Sequence, residues 1–233
     1  MNTVRIDRRF HGPPASGNGG YVSGRLAAFI GSPAIVRLLV PPPLETPMDV
    51  RPIDGGVDLL HGNVRVATAR QAVAPEDVPS PPGYAEAEAA AHAYRGFRWH
   101  PFPTCFVCGP AREPGDGLRI FAGRVPGAHL VAAPWIPHAS LGTRGVVSPE
   151  FVWAALDCPG AFSFDSSEGT ALLLGEIAAT LIRPVRTGIR HIALGWEIDR
   201  NGRRHYTGTA IVTESGECVA LARSTWFEVP AVS

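Results

Sequence analysis

Asp157 is the residue whose position most clearly invites chemistry. It follows the run Phe151-Val152-Trp153-Ala154-Ala155-Leu156 and is the only charged residue within that apolar helix body. An unpaired buried carboxylate is costly, so one set in an apolar wall points to acid–base or nucleophilic work. Such a group serves as general base on water or attacks directly. A second candidate lies far upstream, where Asn18-Gly19-Gly20 opens another predicted helix. Free N–H groups at a helix start stabilise a developing oxyanion, and glycine lets the reacting group approach. Tyr21 supplies the next N–H of that turn. His11, nine residues before Gly20, is a third candidate.

Cys105-Phe106-Val107-Cys108-Gly109 has the form of half a zinc knuckle. A structural zinc site takes four ligands. Cys158 and Cys218 fall in a predicted helix and strand, no second Cys-x-x-Cys exists, and His100 is the remaining contributor. The expectation is a tight turn without metal and a protein without cofactor. Ser16 to Gly20 is glycine-rich but lacks the Lys-Ser/Thr of a phosphate loop and follows no Rossmann pattern.

The elements that position these residues read as two matching series. In the first, a helix over about 20–30 precedes strands at Ala34–Val40, Met48–Ile53, Val57–Leu60 and Val64–Val73. Asp54-Gly55-Gly56 and His61-Gly62-Asn63 turn between them. In the second, Ser148 as N-cap, Pro149 at the first helical position and Glu150 at the positive dipole end open a helix over about 149–158. An apolar circumference means that other structure wraps this helix. A meander follows: Ala171–Ile182, then His191–Asp199 with Ile192, Leu194, Trp196 and Ile198 on one face. Asn201-Gly202 turns it into Tyr206–Thr213, and Ser215-Gly216 into Cys218–Val229. Between the series, Pro79-Ser80-Pro81-Pro82-Gly83 marks a linker, and Glu86 to Tyr94 a short connecting helix. The order describes an internal duplication with diverged sequence.

Composition narrows the function classes. The 233 residues are 45% hydrophobic and 18% charged, as in a folded core. Twenty-one basic residues balance twenty-one acidic ones, so nothing favours nucleic acid or an anionic membrane. No apolar run approaches the ~20 residues of a bilayer span. Met1 to Phe10 carries Arg5, Asp7, Arg8 and Arg9 and no apolar signal region. Four cysteines do not make a disulfide scaffold, so the expected compartment is the cytoplasm. The 26 glycines and 23 prolines are scattered, as suits short strands and tight turns.

A helix wrapped by a curved antiparallel sheet, twice over, resembles the double-hotdog acyl-CoA thioesterases and their phenylacetyl-CoA-type single-hotdog relatives. The resemblance spans nearly the whole chain and implies an α+β fold. It consists of a first repeat at 1–74, a linker at 75–101 and a second repeat at 102–233. It further implies a thioesterase (a hydrolase) of lipid metabolism acting on acyl-CoA or an acyl-carrier thioester, with a homodimer of double hotdogs as the candidate assembly.

The relatives often carry His-Gly-Gly at the start of the central helix and an Asp nine positions after the His. One hotdog supplies the helix start, and its neighbour supplies the Asp. Here the first series keeps the glycines, and Ala27 stands nine after Asn18. The second keeps Asp157, and Ser148-Pro149-Glu150 stands where the glycines would be. Each retains what the other lost, which implies one composite site. Asp157 would act on water, with the N–H groups of Gly20 and Tyr21 on the carbonyl oxygen and Asn18 and Gly19 beside them. Phe29, Phe151 and Trp153 are the expected acyl-pocket walls. The family's larger members support their Asp from neighbouring strands, where this chain offers Thr180 and Ser224 and no Gln. The alternatives are a hotdog dehydratase or enoyl hydratase using His11 with Asp157, and a non-catalytic acyl-ligand binder.

Overall fold

The computed structural model describes residues 2–74, 77–165 and 168–231. Met1, Ser233, Pro75 and Glu76, which include the expected outer bounds and the start of the expected linker, lie outside the described residues.

The first part of the chain holds β1 (Asn2–Val4), α1 (Gly19–Ala27), β2 (Ala34–Leu38), β3 (Met48–Ile53), β4 (Gly56–His61) and β5 (Val64–Gln71). Then come α2 (Tyr84–His92), β6 (Gly123–Arg124), β7 (Leu130–Trp135), β8 (Gly142–Thr143) and β9 (Val146–Val147). The last part holds α3 (Pro149–Ala155), α4 (Cys158–Phe162), β10 (Thr170–Leu181), β11 (His191–Asn201), β12 (Arg204–Thr213) and β13 (Cys218–Pro230).

Among the described residues, eleven strands form one antiparallel sheet in the order β1-β3-β4-β5-β2-β10-β13-β12-β11-β7-β6. The seam is the pairing of β2 with β10, where Val36 faces Ile177. β8 and β9 make a separate small hairpin. The molecule is thus α+β, with a large antiparallel sheet and a few helices. None of the helices among the described residues is long and apolar enough to cross a membrane.

Helix α1 packs on α3 and against β2, β5 and β10, while α4 lies on β11 and β12. The main core runs continuously from Val36 and Leu59 through Leu26, Trp153 and Leu156 to Ile177 and Ile211. A second core forms on the other face of the sheet. Ala87 and Ala90 of α2 pack there against Ile192, Leu194, Ala210 and Val212. The alternation expected for β11 is therefore real at Ile192 and Leu194. It fades at Ile198, which is exposed and unpaired in the bulge between Glu197 and Asp199.

The strand expectations match to within a few residues. β1 was not expected, and strands between the linker and the second helix were expected without positions, which β6, β7 and the β8–β9 hairpin fill. β7 contains Ala132, Ala133 and Pro134, a composition with little strand preference. Helix α3 is shorter than expected, ending at Ala155 instead of about residue 158.

Candidate functional site

The early end of α3 places the carboxylate. Pro159 has no N–H to give back to the preceding turn, and its ring crowds the Ala155 carbonyl. The helix stops, and Asp157 takes φ −78°, ψ −80°, outside the helical region, before α4 begins at Cys158. Thr209 Oγ1 donates to the freed Leu156 carbonyl at 2.7 Å.

Asp157 then reaches across to the start of α1. Its Oδ2 accepts from Asn18 Nδ2 at 2.8 Å and from the Gly20 N–H at 2.9 Å. Asn18 is also the N-cap of α1, its Oδ1 accepting the Tyr21 N–H at 2.9 Å. Asp157 Oδ1 is buried and has no hydrogen-bond partner among the described residues. Burial pushes the Asp157 carboxyl up to about 7; the Gly20 and Asn18 donors pull the other way, and nearby Cys105 adds to the rise.

The close approach depends on bare backbone. A Cβ on Gly20 would lie 2.6 Å from Asp157 Cβ and 2.6 Å from the Trp153 carbonyl oxygen. One on Gly24, a turn later, would lie 2.6 Å from Glu150 Cα. Gly20 is thus needed to admit α3, whereas the sequence argument had it admitting a ligand.

Asp157, Asn18 and Gly19 line a cleft of about 1020 Å³. Its apolar wall includes Leu38, Phe102, Phe162, Leu172, Leu174 and Trp226. Cys105, Cys108 and Cys158 also face it.

Several expected roles need correction. The Gly20 and Tyr21 N–H groups are already taken by Asp157 and Asn18, so neither is free for a carbonyl oxygen. Gly19, at the first helical position, keeps an N–H that no intrahelical carbonyl can reach. The aromatic residues expected as walls lie elsewhere. Phe151 sits with Phe10, Tyr21 and Phe106 in an aromatic cluster behind the cleft. Trp153 packs on Gly24, and Phe29 is 38% exposed near the far end of α1. The real walls come from β10, β13 and the loops around Phe102, which a helix-centred reading could not reach.

His11 pairs its backbone with Gly17, and its Nδ1 meets the Gly12 carbonyl oxygen at 3.2 Å; it does not line the cleft. Thr180 and Ser224 hold buried hydroxyls on β10 and β13 without a partner among the described residues, also outside the cleft lining. The sequence reading missed Cys158 as a cleft residue, although it directly follows Asp157.

Asn18 is the most informative position to change at this site. Asn18→Ala removes an N-cap, at about 0.5–2 kcal/mol, and one of the two donors to a buried carboxylate, at about 1–3 kcal/mol. Asn18→Asp keeps the cap but sets a second carboxylate against Asp157. It should therefore melt below Asn18→Ala at neutral pH in a thermal scan. The opposite ranking would mean that the 2.8 Å contact carries no charge complementarity.

No protein-family model matches the sequence, and no curated protein matches it either. Solved structures do resemble it. The tesB protein of Mycobacterium avium subspecies paratuberculosis aligns over 98% of this chain and 92% of its own, with a TM-score of 0.61 and 14% identity. An acyl-CoA thioesterase II of Mycobacterium marinum aligns over the same shares, with a TM-score of 0.59 and 14% identity. At that identity the likeness speaks for architecture, and it does so over nearly the full length: this chain has the fold of the TesB-type hotdog thioesterases.

Proposed function

We propose that the chain hydrolyses acyl thioesters of the acyl-CoA class at one composite site, built between hotdog repeats at 1–74 and 102–233 and joined by 75–101. The observation that carries this reading is the Asp157 carboxylate. It is held by Asn18 and Gly20, residues some 137–139 positions away, at the floor of an apolar cleft. Oδ2 is fixed by two donors, which leaves Oδ1 to accept a proton from water. That water adds to the thioester carbonyl carbon, the carbon–sulfur bond breaks, and the thiol leaves with a proton. In this reading the Gly19 N–H receives the carbonyl oxygen as it gains charge. The apolar wall suits an acyl chain, and Arg204, exposed at the same cleft, offers a cation to an anionic carrier such as CoA.

A thiol-release assay with short-, medium- and long-chain and aryl acyl-CoAs is the direct test. Release above the buffer rate is expected for at least one, with no hydration of the matching enoyl-CoAs, since His11 is outside the cleft. Tight acyl-CoA binding by calorimetry with no release across the panel would replace hydrolysis by a binding role.

A further inference from the structure

Three of the four cysteines converge beside Asp157. Cys105 and Cys108 come from one turn and Cys158 from the first residue of α4, and the three Sγ atoms all lie within 4.8 Å of one another. Cys105 Sγ and Cys158 Sγ are 3.8 Å apart, and all three residues are buried and unbridged. Metal–sulfur bonds of about 2.3 Å in a tetrahedron set sulfurs roughly 3.8 Å apart.

Sulfur spacing alone would also suit neutral thiols packed as small apolar groups. The surroundings argue otherwise. Packed apolar groups need no donor, yet Asn18 Nδ2 lies 3.9 Å from Cys105 Sγ. The turn is also built to hold that shape. A Cβ on Gly109 would fall 2.5 Å from the Cys105 nitrogen and 2.6 Å from the Pro103 carbonyl oxygen, and the Gly109 N–H closes the turn onto the Cys105 carbonyl at 2.9 Å.

We propose that Cys105, Cys108 and Cys158 form a three-thiolate site for a soft d¹⁰ cation of the zinc class, with its fourth position open to the cleft. The Cys-x-x-Cys turn supplies two ligands, and the fold supplies the third by bringing the start of α4 onto it. His100 is not the fourth ligand. Its Nδ1 accepts the Phe102 N–H at 2.9 Å, which leaves the ring proton on Nε2. Three protein ligands with an open position is the arrangement of reactive rather than purely structural zinc. The thiolates are soft enough to select such an ion over magnesium or calcium.

The site borders the cleft of the proposed hydrolase and is tested without an activity assay. Untagged full-length protein, purified under reducing conditions, is stripped with chelator and titrated with Zn(II). One equivalent per chain should bind and protect three of the four thiols from a thiol reagent, leaving Cys218 reactive. Co(II) should give a thiolate-to-metal charge-transfer band. Cys108→Ser should lose both signals and Cys218→Ser should keep both. Because the wild-type titration needs no variant, misfolding of Cys108→Ser would not shield the idea. A folded wild-type protein with no cobalt–thiolate band and no zinc protection overturns it, as does Cys108→Ser binding as wild type does.

Discussion

Asp157→Asn should reduce thioester hydrolysis by about 10²–10⁴-fold, the range for loss of a general base, while the protein stays folded. The amide has nearly the same volume, and its oxygen can still accept from Asn18 and from the Gly20 N–H, as Oδ2 does now at 2.8 and 2.9 Å. What disappears is the free lone pair at Oδ1, the atom without a partner among the described residues. The melting temperature should hold or rise, because a buried charge with one unpartnered oxygen is replaced by a neutral group. The opposite pattern, a drop in melting temperature with residual activity that follows the folded fraction, would make Asp157 a clamp between α1 and α3 and nothing more. A variant that is folded and as active as the parent removes the carboxylate from the chemistry altogether.

The two halves of the site were not equally legible. Asp157 stood out because a charge inside an apolar helix needs an explanation, and the structure provides one in its bonds to the start of α1. Strands with period-2 alternation and Gly-containing turns, such as β11 and β12 around Asn201-Gly202, were readable because side-chain period and turn chemistry are local properties. The end of α3 was misjudged although Pro159 was in plain view, since a proline near a helix end can sit in the first turn of the next helix, as it does in α4. The cleft wall escaped for a different reason. Leu174 and Trp226 come together through the pairing of β10 with β13, a long-range register that no window of sequence contains. The convergence of Cys158 on Cys105 is of the same kind: the two are 53 positions apart, and only the packing of α4 joins them.

Gly20→Ala should cost more hydrolysis than any other single-methyl change at the α1–α3 crossing. The added Cβ would meet Asp157 Cβ and the Trp153 carbonyl oxygen at 2.6 Å and Ala154 Cα at 3.0 Å. These are backbone atoms or atoms fixed to it, so no side-chain rotation relieves the overlap and the helices must part. Overpacking of this type costs about 1–3 kcal/mol. Rigid neighbours put the expected cost near about 3 kcal/mol, or about 6–12 °C in melting temperature for a chain of this size. Parting the helices also carries Asp157 off the Gly20 N–H, and misplacing a catalytic group by about 1 Å can cost about 10²-fold in rate. Gly24→Ala provides the comparison. It overpacks the same crossing, against Glu150 Cα at 2.6 Å and Trp153 Cβ at 2.8 Å, but one turn away from Asp157. The two variants should lose similar stability, and per folded molecule Gly20→Ala should lose at least ten times more hydrolysis. Equal activity per folded molecule in the two would mean that the Asp157–Gly20 contact secures the packing of two helices and takes no part in turnover.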